Sequence, residues 1–562
     1  MSRVFYNRFL LLISGLGGLL YGIDVGIIAA ALLYLSKTID LSVGQTSIIV
    51  AAVLGGSMVS SPLAGVLADW YGRKRMMIVS GLMFVTSVGI IVLSQGFVSL
   101  FIGRLLQGMS GGVIAVVVPL YLAECLGADT RGRGTAIFQF MLTFGVVVAA
   151  FVGWFFTRQA ETAIAHAAGN AVLIHAAQNH AWRGMFLAVV YPGLLFFTGA
   201  FALSESPRWL RRKGRAEDAL KALRRSLPEE EAQREMEEMS LVQQAPGKEA
   251  HATGGGSLLQ RKYVIPFVLA CAVLSLNQTT GINSVLAFLV IILKQAGLSA
   301  THATQGDVTV KVLNCVMTLV GVALVDRKGR RFLLRLGTGG IVVAFAAGAL
   351  LFWHVESQGI NIRGNLVAAE TGNTLVLPLS NLPTSSSGQP MVLSVLYSYG
   401  KGSRMEAVST TDPEPELIIR PDEEETGAPL TISHARYGPV PPPATGWLIM
   451  FCMGLFIACY ALGPGVVVWL VLSELMPTRI RSTGMGIALL MNQGVSTLIA
   501  ALFLPVVGNF GYAAIFFFWA VCTGLYFLVA TFFVPETKGK TLEEIEMYFA
   551  RQRSPLHESA AN

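Results

Sequence analysis

Ser14–Ala30 reads SGLGGLLYGIDVGIIAA, an apolar helix with a single acid, Asp24, at its centre. Gly18, Gly22 and Gly26 recur every fourth residue and form a small-residue ridge along which a neighbouring helix can approach closely. At about 100° per residue, Asp24 lies roughly 160° from the ridge glycines beside it, so it points elsewhere. A carboxylate at membrane depth costs about 3 kcal/mol or more and marks an ion or substrate pathway by default. The plainer reading, an acid that merely caps a helix break, leaves that cost without a task.

The rest of the chain supports a membrane setting. Of its 562 residues, 53% are hydrophobic and 13% charged. The mean hydropathy is +0.60. Soluble domains carry about 25% charge. Apolar runs of about 20 residues are long enough to span a bilayer. The first run has no small-residue cleavage site after it, so it reads as a spanning helix and not as a removed signal peptide. Six cysteines fall in or beside apolar runs and read as packing residues.

Twelve spans are predicted, near 9–34, 45–68, 76–95, 98–123, 134–157, 184–204, 262–294, 308–325, 331–354, 446–471, 483–507 and 510–534. Basic residues cluster after spans 2, 4, 8 and 10, at Arg73-Lys74-Arg75, Arg131/Arg133, Arg327 to Arg331, and Arg479/Arg481. The positive-inside rule makes these loops cytoplasmic, and an even span count puts both termini there too. The net charge of +7 reflects that loop placement and implies no nucleic-acid partner. The expected fold class is an all-α membrane protein with two six-helix halves, 1–204 and 262–534. A cytoplasmic linker of amphipathic helices, 205–261, joins them, and a tail, 535–562, follows.

Two segments face outward. Residues 158–183 read as a loop carrying His166, His175 and His180, whose spacing matches no metal-ligand pattern, so no metal is assigned. Residues 355–445 contain β-branched runs parted by Gly, Pro and Ser, which suggests a small β-rich cap. The acidic stretch from Asp412 and the prolines from Pro439 to Pro443 fit a disordered linker equally. Partial β order is the preferred reading.

The halves echo each other. Asp69 and Arg73 after span 2 match Asp326 and Arg330 after span 8. Glu124, seven residues before Arg131, matches Glu474, seven residues before Arg481. The offsets are 257 and 350, and their difference is about the size of the 355–445 segment, which therefore reads as an insertion into a duplication. Gly22-Ile23-Asp24 is echoed by Gly281-Ile282-Asn283. Duplicated halves place a substrate between them near the midplane.

Three groups of residues carry the chemistry. The eight charged residues of the duplicated loops can pair across the two halves as a cytoplasmic gate, made in one packing and broken in the other. Arg104 in span 4 is the natural countercharge for Asp24, since intramembrane charges pair or face water. Movement of Arg104 toward or away from Asp24 then becomes a change in proton affinity. Gln139, Asn277, Gln278, Asn283, Asn314 and Asn492 with Gln493 are uncharged donors and acceptors inside helices, suited to a neutral polyol. Trp469 can stack on the apolar face of a sugar ring. On a straight helix Gln278 and Asn283 would be about 140° apart. A break at Gly281 would bring them together.

These stretches together resemble the sugar-porter branch of the major facilitator superfamily. The resemblance is carried by GGLLYGIDVGII, DWYGRKR, GRLLQGMSGG, PLYLAECLGADTRGRG, SESPRWL, NQTTGIN, VDRKGRR, GPGVVVWLVLSELMPTRIRSTG and PETKGKTLEEIE. It covers the chain outside 355–445 and is most similar in pattern to bacterial proton-coupled permeases. It implies that Asp24 couples the proton and that Gln139, Gln278, Asn283, Asn314, Trp469 and Asn492 bind sugar. Departures at Asn277, Val146, Ala287, Phe288 and Gln493 imply an altered cavity. The resulting expectation is a monomeric symporter that imports a monosaccharide with a proton through a cell membrane, read as a bacterial cytoplasmic membrane. It has no cofactor and no enzymatic activity. A proton-independent facilitator is the first alternative and a transporter-like sugar sensor the second.

Overall fold

The computed structural model describes residues 3–126, 128–244, 261–370, 373–383, 389–400, 402–411, 415–421, 428–476, 481–538, 544 and 549. Eleven helical segments within it are long and apolar enough to cross a membrane. The last, Gly484–Phe532, is two spans merged across Gly511, so the described residues hold twelve. Large apolar side chains such as Leu93, Phe517 and Phe533 are exposed on the outside of the bundle.

The first span is two helices, Arg3–Gly26 and Ile28–Thr38. The ridge predicted in it is the surface that meets span 5. A Cβ at Gly18 or Gly22 would collide with the backbone oxygen of Phe138 or Leu142, and one at Gly26 would come within 2.8 Å of the Ala149 Cβ. The spacing of four residues thus converts directly into a close backbone crossing.

Two boundaries differ from the expectation. The segment read as a histidine loop is helical: span 5 runs on to His166, and Ala171–Ala188 begins span 6 with Asn170 capping it through Val172 and Leu173 N–H. Alanine-rich sequence favours helix even where its polar residues look loop-like. Among the described residues no cluster of metal-ligating side chains occurs. Span 8 starts at Ala300, capped by Ser299, a full two turns before the predicted start. The linker holds three helices, Pro207–Arg212, Ala216–Ser226 and Glu229–Gln244. The triple glycine at 254–256 lies outside the described residues.

The insertion is a folded β unit. Strands β1 (Ile360–Asn361), β2 (Leu375–Pro378), β3 (Met391–Ser398), β4 (Arg404–Ser409), β5 (Glu416–Ile419) and β6 (Thr431–Pro439) form two antiparallel sheets. One has the order β1-β6-β3-β4 and the other pairs β2 with β5. Its own core includes Leu375, Leu393, Val395, Leu417, Ile432 and Tyr437. This cap, inserted between spans 9 and 10, also reaches the first half. Arg404 pairs with Asp40 at 2.5 Å, and the Val43 N–H donates to the Ser403 carbonyl at 2.8 Å.

At the cap end the two halves are packed together. Ile28–Thr38 lies against Ile282–Gln295, and their apolar residues share one core. The Leu504 N–H donates to Ser47 Oγ at 3.1 Å, linking spans 2 and 11. At the opposite, basic end Trp70, Tyr71, Ile487 and Leu490 are exposed.

Candidate functional site

Asp24 and Arg104 meet in the core of the first half, at 0% and 1% exposure. Arg104 Nη1 stands 3.4 Å from Asp24 Oδ1, longer than the roughly 2.7–2.9 Å of a tight charge-assisted bond. Its shorter bond, 2.7 Å, goes to Gln107 Oε1, and its guanidinium lies 5.6 Å from the centre of the Phe186 ring. Asp24 Oδ2 and Arg104 Nε have no hydrogen-bond partner. Gly111 of span 4 makes room here, because a Cβ there would lie 2.9 Å from the Tyr21 ring and 3.4 Å from Asp24 Oδ2. The pair is therefore close but loosely made, in a site with a free acceptor atom.

Span 7 breaks at Gly281, which sits in the left-handed region at φ +76 and caps Ile282–Gln295. A side chain there would be strained and would strike the Trp519 ring. The break brings Gln278 and Asn283 together. Asn283 Nδ2 donates to Gln278 Oε1 at 3.1 Å and to Ser496 Oγ at 2.7 Å. Gln278 Nε2 donates to Asn492 Oδ1 at 3.1 Å, and Asn492 Nδ2 donates to the Leu274 carbonyl at 3.0 Å. Asn277 Nδ2 donates to Tyr460 Oη at 3.1 Å, and Asn277 Oδ1 is buried without a partner. Spans 7 and 11 thus build one amide network, and the adjacent Asn277 bonds separately to Tyr460 of span 10. Gln139 is exposed, Asn314 half-buried and Trp469 46% exposed, so these three lie outside that packed network. Span 5 and span 8 touch near them, where Cys315 Sγ is 3.7 Å from Thr143 Oγ1.

The charged loops form two clusters of the same design. In the first half, Arg73 is buried and pairs with Asp69 at 2.7 Å and Glu124 at 2.9 Å, and Arg212 of the linker joins both acids. Glu205 accepts from the Arg73 and Lys74 N–H groups, and Ser206 Oγ donates to Glu124. In the second half, Arg330 pairs with Glu474 at 3.2 Å, Glu536 accepts from the Arg330 and Arg331 N–H groups, and Thr537 Oγ1 donates to Glu474 at 2.6 Å. Gly72 and Gly329 leave the space each capping carboxylate fills. These described pairs join helices of one half; none of them crosses between halves as the sequence reading supposed. A short loop arginine reaches the acid nearest to it in its own bundle first. The side chains of Arg131, Asp326 and Arg481 lie outside the described residues.

Sequence reasoning passed over Gln107, Tyr460, Ser496, Glu205 and Glu536. The last two stood in quoted motifs, SESPRWL and PETKGK, but nothing local says which helix start they cap.

The profile of the sugar (and other) transporter family matches residues 10–369 and 430–549. The chain belongs to this family. The unmatched stretch between those ranges holds β2 to β5, so most of the cap falls outside the shared pattern. A glucose transporter, GlcP, of Staphylococcus epidermidis is 27% identical over 551 residues, covering 98% of both chains. Inositol transporter 4 of Arabidopsis thaliana is 27% identical, covering 96% of this chain and 91% of its own. The inward-open xylose transporter XylE of E. coli shares the fold at a TM-score of 0.67 and 21% identity, covering 96% of this chain and 98% of its own. A family of membrane transporters with the major facilitator fold, not an enzyme class, is what this chain represents.

Proposed function

We propose that the protein imports a monosaccharide or similar polyol together with a proton, by alternating access of two six-helix halves, 1–204 and 262–534. The observation that carries the proposal is the buried Asp24–Arg104 contact at 3.4 Å with one carboxylate oxygen left unpartnered. Such a contact can be tightened or released by small helix shifts, and the freed oxygen can take a proton. Binding and release of H⁺ at Asp24 then follow the change of shape.

The sugar site in this reading is the amide network of Gln278, Asn283 and Asn492 and the adjacent Asn277, with Gln139, Asn314 and Trp469 completing its walls. Support comes from its chemistry: amides donate and accept, and the buried unpartnered Asn277 Oδ1 is an acceptor awaiting a hydroxyl. Relatives named for glucose, inositol and xylose support a neutral polyol cargo. A solved relative named as a D-xylose–proton symporter supports the coupling. The basic loops are cytoplasmic, as are both termini, and the cap is outside. The gate is the two charged clusters, Asp69, Arg73 and Glu124 with Arg131, and Asp326, Arg330 and Glu474 with Arg481. Asp69, Arg73 and Glu124 are already joined in the first half, and Arg330 and Glu474 in the second, and in this reading the two clusters meet when the cytoplasmic side closes.

The test is uptake of labelled sugar into vesicles with and without an imposed acid-outside gradient, using a panel of hexoses, pentoses and inositol chosen by thermal stabilisation. A ligand at 100 times its Kd adds about 2.7 kcal/mol to the folded state, enough to see. Accumulation that needs the gradient and collapses with a protonophore supports symport. Equal uptake in both conditions makes the protein a facilitator.

A further inference from the structure

Span 8 carries a buried charge pair for which the coupling and sugar sites have no use. Asp307 and Lys311, one turn apart on Ala300–Lys328, are 1% and 0% exposed and joined at 2.7 Å. Lys311 Nζ also donates at 3.1 Å to the Gly26 carbonyl in the opposite half. That carbonyl lies at the break of the first span, between Arg3–Gly26 and Ile28–Thr38, two residues beyond Asp24. Asp307 Oδ1 has no hydrogen-bond partner.

Ionic groups at this depth are expensive and are kept near a pathway or a moving part. A pair on one helix needs nothing from the other half, so the bond to Gly26 is the informative one. A broken helix leaves carbonyls without their usual donor, and an ammonium is a strong replacement. The arrangement also suits a bond that must be made and lost. When the halves part at the cap end, Lys311 gives up Gly26 but keeps Asp307, so the cation is never left alone.

We propose that Lys311, oriented by Asp307, is a positioning residue that ties the second half to the break beside Asp24 and holds the cap end shut. The tie lets go when the carrier opens on that side. It rests on the two halves rocking and does not depend on which solute is carried.

The test needs no sugar. A thiol is introduced by Ser47→Cys, at the contact of spans 2 and 11 on the same side, and the native cysteines other than Cys125 are replaced by serine. Cys125, buried within the first half, reports general loosening. The purified protein is labelled with a maleimide, and the rates at positions 47 and 125 are compared with and without Asp307→Asn/Lys311→Met, which removes both charges together. Loss of one bond to a charged group shifts an equilibrium by roughly tenfold or more, so the ratio of rates should rise about tenfold. An unchanged ratio, or both rates rising together, overturns the proposal. Should the double variant not fold, Lys311→Gln is read on the same ratio, with a rise expected and no rise contradicting the tie.

Discussion

At the residue scale the chain depends on a few atoms that have no slack. Gly22 faces the Leu142 carbonyl so closely that a methyl group has nowhere to go, and the neighbour is backbone. Gly22→Ala should lower stability by about 1–3 kcal/mol, the usual cost of overpacking, read as a lower melting temperature in detergent. Gly89, with open space around it, should accept alanine without loss. Arg104→Met removes the cation beside Asp24 and leaves that acid buried without its countercharge. Transport against a gradient should be lost in this variant, and a vesicle assay that finds it intact would remove Arg104 from the coupling pair. The ridge and Asp24 were legible because their spacing is local to one helix. Lys311 was not: its bond is to a backbone atom 285 residues away in sequence, and the predicted start of span 8 at 308 left Asp307 in a loop.

At the element scale the two charged clusters repeat one design, an acid paired with an arginine beside a capped helix start. Glu536 receives two N–H groups at the start of span 9, as Glu205 does at the start of span 3. Removing such a cap costs about 1 kcal/mol. Glu536→Ala should therefore lower the melting temperature modestly, and Glu205→Ala should match it if the two halves are built alike. The cap carries its own pH dependence. Glu406 of β4 is half-buried, and burial raises its carboxyl above the usual value of 4.5, opposed in part by its hydrogen bond with Tyr397. A raised folded value means that the folded cap holds the proton better than the unfolded chain does. Stability is then fully present below the unfolded pKa and falls as pH rises from there through the raised folded value. Glu406→Gln should raise the melting temperature at pH 7 and leave it unchanged at pH 4. The β content of the cap was visible in its β-branched runs, but the order β1-β6-β3-β4 was not, because it pairs strands about seventy residues apart and no local pattern encodes that register.

At the scale of the whole molecule, the halves meet tightly where the cap sits and expose apolar side chains at the basic end. The duplication with an interrupting segment could be read from the chain because Asp69/Asp326 and Glu124/Glu474 keep their spacing to an arginine. That the paired charges close within each half could not, since spacing fixes which helix end a side chain occupies and not which bundle neighbour it finds. The cap bridges both halves, so Arg404→Ala, which cuts its pairing with Asp40, should free the cap end and speed labelling of a thiol placed by Ser47→Cys. Everything in the coupling account turns on Asp24. The most direct measurement compares Asp24→Asn with the unaltered protein in vesicles loaded with the sugar that stabilises it, scoring exchange of labelled sugar and accumulation under an acid-outside gradient side by side. The account predicts that exchange survives while accumulation disappears. Accumulation as strong as that of the unaltered protein would contradict it.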